Sequence, residues 1–207
     1  MKNAIFTVGH STHSIEKFLA LLTKHQITAI VDVRSSPYSR MNPQFNREPL
    51  KETLRNSGIA YVFLGKELGA RSTDASCYVG GKVQYERLAK TGLFADGINR
   101  VQQGMEKYRV SLMCAEKDPL SCHRTILVTR DLVSRGISAE HILEDGTLES
   151  HTHAIERLMQ QLKLPEGDMF RSRDSWVDDA YRLQGEKIAY EEAAFADDSA
   201  SAEKTST

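Results

Sequence analysis

Ala29-Ile30-Val31-Asp32-Val33-Arg34-Ser35-Ser36-Pro37 is the stretch from which the fold is read. Three of its first five residues are β-branched (Ile30, Val31 and Val33) and all but Asp32 are apolar, without the alternation of a half-wet strand. That is the pattern of a strand covered on both faces. The run then gives way to an arginine, two serines and a proline, so the strand delivers a charged loop at its carboxyl end. Upstream, Lys2–Gly9 is β-rich and ends on glycine, and Ser14 is placed to cap a helix whose Ile15, Phe18, Leu19 and Leu22 share one face. Downstream, Arg47–Asn56 reads as a helix stopped at Ser57-Gly58, and Ile59–Leu64 as another buried strand ended by Gly65.

The alternation continues to the far end of the chain. Tyr85–Ala89 and Leu93–Tyr108 read as helices broken near Thr91-Gly92, and Arg109–Cys114 as a strand. Asp118 caps and Pro119 opens a helix running through Leu120, Leu127, Val128 and Leu132 to Gly136. His141–Leu143 is a last short strand, His151–Leu162 a core helix, and Asp174–Ala194 a further helix with sparse apolar residues. Strands alternating with helices imply right-handed crossovers. The expected fold class is therefore α/β: a single domain with a mostly parallel sheet of about five strands, helices on both faces and a C-terminal helical extension. The expected divisions are an α/β domain over 1–164, the extension over 165–194 and a disordered acidic tail over 195–207.

Composition sets the outer bounds. The 207 residues carry 27 Lys+Arg against 28 Asp+Glu, with 40% hydrophobic residues, ordinary globular usage that excludes a coiled-coil, collagenous or disordered chain. Residues 1–164 hold 22 basic and 17 acidic side chains, residues 165–207 only 5 against 11. The body is mildly basic, compatible with an anionic ligand but well short of a typical DNA-binding footprint. No apolar run approaches a membrane span, and Met1–Phe6 is too short for a secretory segment. Three cysteines form no disulfide framework, which points to a cytoplasmic protein.

Ligands of open parallel sheets bind beyond the carboxyl ends of the strands. There the chain places His10 and Ser11 after its first strand, Asp32, Arg34, Ser35 and Arg40 after the second, Lys66 and Glu67 after the third, and Cys114, Glu116 and Lys117 after the fourth. Cys122, His123 and Arg124 follow within the next helix start. Four polar clusters on one edge are more than a random surface supplies. The strings V-G-H-S-T, D-V-R-S-x-P-x-S-R, G-I-x-Y-x-x-L-G-x-x-L-G and C-A-E-K-x-P-x-x-C-H-R resemble the domain of unknown function 488 family of bacterial and archaeal proteins. The resemblance runs from about Ile5 to the early 160s, with a family-like extension at Tyr181–Tyr190. It implies a small cytoplasmic α/β domain and no established reaction. Ala70 stands where the third-strand motif often has a second glycine.

The residues themselves give three functional classes. The first is an enzyme acting on a phosphate-bearing substrate such as a nucleotide or a nucleic-acid end. Asp32, Glu116 or His10 would serve as acid or base and Cys114 as nucleophile. Ser11, Arg34, Ser35, Arg40, Lys117, Cys122, His123 and Arg124 would bind the substrate. The competing reading of Asp32 and Arg34 is a local ion pair fixing their loop. The second class is a non-catalytic nucleic-acid-binding module. The third is a thiol redox or metal-binding protein using Cys114, Cys122 and His123. The spacing C-x7-C-H is poor for structural zinc, which prefers closely spaced cysteine pairs and four ligands, although His10 or Glu116 could complete it. The residues therefore assign no metal ligand, name no cofactor and give no oligomeric state; an anionic small molecule or nucleic acid is the expected partner. Cys77, His25, His141, His151 and His153 have no evident partners and read as structural or surface residues. Tyr78–Gly81 reads as a flexible loop over the pocket. G-x-G-x-x-G, Walker, G-x-S-x-G and H-E-x-x-H patterns are all missing.

Overall fold

The computed structural model describes residues 4–165 and 170–195. In chain order its elements are β1 (Ile5–Gly9), α1 (Ile15–Lys24), β2 (Ala29–Asp32), α2 (Arg47–Asn56), β3 (Ala60–Phe63), β4 (Tyr78–Val79), β5 (Lys82–Val83), α3 (Tyr85–Leu88) and α4 (Gly92–Met105). They continue with β6 (Val110–Cys114), α5 (Arg130–Ser134), β7 (Ala139–Ile142), β8 (Leu148–Ser150), α6 (His151–Gln161) and α7 (Arg173–Ile188). Caps set several helix starts: Ser14, Thr91, Ser150 and Ser172 each accept a backbone N–H from the first turn that follows. Among the described residues no helix is long and apolar enough to cross a membrane.

Six strands form one sheet in the order β3-β2-β6-β1-β7-β8. All neighbours are parallel except β7 and β8. Register brings the carboxyl ends of the central strands level, with Gly9 opposite Cys114 and Asp32 opposite Met113. The apolar faces of α1 and α2 pack Phe18, Leu22, Leu50 and Leu54 against Phe6, Val8 and Ile30. On the other face Leu88, Phe94, Ile98 and Leu132 pack against Ile5, Val31 and Leu112. Each such side chain contributes about 2 kcal/mol by leaving water, and the two cores fix where the strand ends sit. A third cluster joins α6 and α7 to Leu120 and Ile126.

Several expectations are corrected. The sheet has six strands rather than about five, because Leu148–Ser150 adds an antiparallel edge strand too short to read. Ile59–Leu64 is not a doubly covered strand: β3 lies at the sheet edge and Val62 is 41% exposed. Tyr78–Gly81 is no loose loop but half of a hairpin, turned by Gly80 and Gly81 at φ 53° and 78°, a turn geometry that glycine adopts without a Cβ penalty. The helix expected from Pro119 onward is interrupted. A single turn over Pro119–Ser121 gives way at Cys122 to extended backbone, φ −138° and ψ 139°. A π-helical turn over Arg124–Thr129 then leads into α5. The last helix stops at Ile188, where Ala189 becomes extended, and the chain pairs with the hairpin. Val83 N–H donates to the Tyr190 carbonyl and Glu192 N–H to that of Gly81. Phe195 packs on Tyr78, so residue 195 belongs to this strap, while residues 196–207 of the expected tail lie outside the described residues.

Candidate functional site

Strand β6 carries Cys114 to the carboxyl edge of the sheet. The break in the helix that follows turns Cys122 and His123 back toward it. All three side chains are buried. His123 Nδ1 lies 3.8 Å from Cys114 Sγ and 3.9 Å from Cys122 Sγ, and the three donor atoms lie within 4.8 Å of one another. A tetrahedral zinc-type centre, with metal–sulfur bonds near 2.3 Å and metal–nitrogen bonds near 2.0 Å, separates its S and N ligands by about 3.6 Å. The observed spacing is already close to that. His123 Nε2 lies 3.0 Å from the Val33 carbonyl, to which it donates, so Nδ1 is the nitrogen turned to the sulfurs. A backbone carbonyl on the far ring nitrogen is how ligating histidines are commonly oriented.

Charge around the cluster favours sulfur anions. Arg124 is fully buried, and its Nη1 and Nη2 donate to the Glu116 and Lys117 carbonyls, with no carboxylate on it among the described residues. Its backbone N–H points at Cys122 Sγ from 3.4 Å. Burial resists ionisation of Cys122, but the Cys114 thiol, the Arg124 charge and His123 outweigh it and hold this thiol well below its ordinary range. The hydrogen bond to Cys122, then burial, push the Cys114 thiol up, so without a metal the pair shares a proton. The helix start that carries Arg124 is a π-helical turn, Arg124–Thr129, and Thr129 Oγ1–H donates to the Arg124 carbonyl. Such turns recur at functional sites.

The cluster opens onto a cavity of about 260 Å³. Its walls include Arg34, Ser35, Arg71, Tyr85, Glu116 and Tyr190. Glu116 stands at the rim, where partial burial and then the neighbouring Cys122 sulfur raise its carboxyl above the usual range. Gly9 makes this packing attainable: a Cβ there would meet the Glu116 carbonyl at 1.9 Å.

Behind the cavity, toward α1 and α2, lies a second polar group. Asp32 is fully buried. Arg34 Nε and Nη2 donate to its two oxygens at 2.9 and 2.6 Å, and Tyr61 O–H donates at 2.8 Å. Arg34 also donates to the Phe45 carbonyl and, through Nη1, to His10 Nε2. His10 donates its Nδ1–H to the Ser11 carbonyl and stacks on Phe45 at 4.4 Å. Burial, then the Arg34 charge, lower its pKa to about 4, so it is neutral and accepts from Arg34.

The sequence-derived candidates thus divide. Cys114, Cys122, His123, Glu116, Arg34 and Ser35 reach the cavity. Asp32 and His10 serve the Arg34 network, and Arg124 braces the loop after β6. Lys117 is exposed and ion-paired with Glu144, Arg40 is exposed outside the cavity wall, and Ser11 (φ 47°) joins the loops by donating its N–H to the Ala115 carbonyl. Sequence reasoning missed Tyr61, Arg71, Tyr85 and Tyr190. It also left His141 and His151 without partners, whereas they form a buried chain: Thr7 Oγ1 to His141 Nδ1 at 2.8 Å, His141 Nε2 to His151 Nδ1 at 3.1 Å, and His151 Nε2 to the Tyr181 hydroxyl at 2.7 Å. No local signal exposes a contact between residues 134 positions apart.

The fold and site describe an α/β protein with a three-membered sulfur–nitrogen cluster at the open edge of a parallel sheet. Residues 14–130 match the family model described as a domain of unknown function, DUF488, and the chain belongs to that family. The matched region contains Asp32, Arg34, Cys114, Glu116, Cys122, His123 and Arg124. It does not extend to the His10 loop or to α6 and α7. Nothing matches among the curated proteins or among the solved structures.

Proposed function

We propose that the chain is a metalloprotein in which Cys114, Cys122 and His123 hold one divalent transition-metal ion, zinc or a close relative, with a coordination position left open toward the cavity. The observation that carries this reading is the convergence of two sulfurs and His123 Nδ1 at distances near those of a tetrahedral centre, with the other ring nitrogen fixed by Val33. Sulfur and imidazole donors suit zinc, iron or copper rather than magnesium or calcium. Three protein ligands beside a cavity are the arrangement of catalytic centres, whereas structural zinc sites are closed by a fourth. A bound ion supplies Lewis-acid polarisation of a ligand in the cavity. Glu116, its proton affinity raised, is placed to move a proton there. Arg124 stabilises the thiolates, and the Asp32–Arg34–His10 network holds the opposite wall.

Cobalt(II) titration tests the assignment. The expected result is a sulfur-to-cobalt charge-transfer band that saturates at one ion per chain and disappears in Cys122→Ser and His123→Ala, while Glu116→Gln retains it. A wild-type spectrum without that band, or one indifferent to both substitutions, overturns it.

A further inference from the structure

We infer that the cavity is a binding site for a small organic carboxylate, anchored by Arg71 and flanked by the C-terminal strap; the inference rests on the metal reading above. Charge sets the sign of the ligand. Two thiolates neutralise a divalent ion, and Asp32 neutralises Arg34. Arg124 adds a buried positive charge beside the sulfurs, and the exposed Arg71 adds a positive charge at the cavity wall. Glu116 offsets one of them, so the loaded site retains a net positive charge and calls for an anion.

The donors narrow the choice. Arg34 has its guanidinium taken by Asp32, Phe45 and His10, and Arg124 faces backbone carbonyls. Among the described residues Arg71 has no carboxylate partner. Its backbone N–H is held by Ser35 Oγ at 3.0 Å, and its guanidinium lies 4.4 Å over the Tyr190 ring, which leaves the edge of the fork free for a bidentate anion.

Size and walls complete the argument. About 260 Å³ is room for about nine waters, below the usual range of sites for drug-sized ligands. A small acid fits that space. Tyr85, Ala70, Ile188 and the Tyr190 ring form an apolar part of the lining, which an inorganic oxyanion would leave unfilled but the carbon body of an organic acid covers. Ile188 and Tyr190 lie beyond residues 14–130 that match the family model, so the C-terminal segment shapes the ligand's apolar side. Pairing of residues 190–192 with the hairpin, including the Lys82–Glu191 ion pair at 3.2 Å, holds that segment in place.

The test uses full-length cobalt-loaded protein with acetate, benzoate and inorganic phosphate as probes, read by the cobalt d–d bands and by titration calorimetry. The carboxylates are expected to shift the bands and bind with measurable heat, benzoate more tightly than acetate, and phosphate more weakly than either. Arg71→Ala should weaken carboxylate binding by roughly ten- to a hundredfold and Tyr190→Ala should remove the preference for benzoate, both with the sulfur-to-cobalt band intact. A normal sulfur-to-cobalt band with no carboxylate binding, with binding unchanged in Arg71→Ala, or with phosphate preferred, overturns the carboxylate site and leaves the metal centre standing. Loss of that band in the wild type overturns both.

Discussion

Asp32 and Arg34 stand two apart at the end of β2, and their pairing decides how the residues around them act. Both are buried, and the carboxylate accepts from Arg34 and Tyr61 together. Removing one partner of such a pair leaves an uncompensated buried charge, which costs about 3–5 kcal/mol. Asp32→Ala is therefore expected to lower the urea midpoint by an amount equivalent to that loss, with an unchanged denaturant slope; a loss within about 0.5 kcal/mol, the usual size for a surface substitution, would contradict the pairing. Gly9 poses a steric question instead. The close approach of the Glu116 carbonyl leaves no room for a methyl group, so Gly9→Ala should destabilise the fold by about 1–3 kcal/mol and disturb the loop carrying Glu116. At this scale the sequence was informative about residue identity and silent about partners. D-V-R at a strand end pointed to a polar site, but only the folded chain brings Tyr61 to Asp32.

Among the elements, strands and capped helices were legible because each carries a local signature. Ser14 before an apolar stripe and Asp118 before Pro119 gave their starts correctly. The interrupted helix was not legible. Nothing in S-C-H-R marks Cys122 for extended backbone, and it is that break which turns C-x7-C-H from a poor ligand spacing into a convergent cluster. The docking of α7 was hidden for a different reason: its apolar residues are few, and part of its attachment is polar. His151 donates to or accepts from the Tyr181 hydroxyl, Gln184 Nε2 donates to the Leu120 carbonyl, and Arg130 lies over the Tyr181 ring. Tyr181→Phe should cost about 1 kcal/mol and speed amide exchange along α7 while β1 and β6 keep their protection. Uniform exchange across the molecule would show that α7 is not a separately docked element.

The whole molecule should be sensitive to acid. His10 and His151 are both buried, and desolvation lowers each pKa to about 4 from 6.5, with the Arg34 charge adding to the effect at His10. Above pH 6.5 both are neutral whether the chain is folded or not. As pH falls from 6.5 toward 4, the unfolded chain takes up protons that the folded one refuses, so stability falls across that window by about 3 kcal/mol for each group. Urea unfolding at pH 7, 6 and 5 should show the midpoint dropping, with a shallower drop in His151→Gln; a midpoint flat over this range would mean that these rings are hydrated. A bound metal should act in the opposite direction, raising the melting temperature in proportion to the logarithm of its free concentration.

The central claim is that Cys114, Cys122 and His123 together form a metal centre. Its most direct test is elemental analysis of the full chain purified from metal-supplemented cells, set beside a count of reactive thiols before and after chelation. The account predicts about one zinc or similar ion per chain, with Cys114 and Cys122 unreactive until the ion is removed and no ion in the Cys114→Ser, Cys122→Ser double variant. Protein that emerges metal-free and fails to take up zinc or cobalt, with Cys114 and Cys122 reactive from the outset or joined in a disulfide, would contradict it.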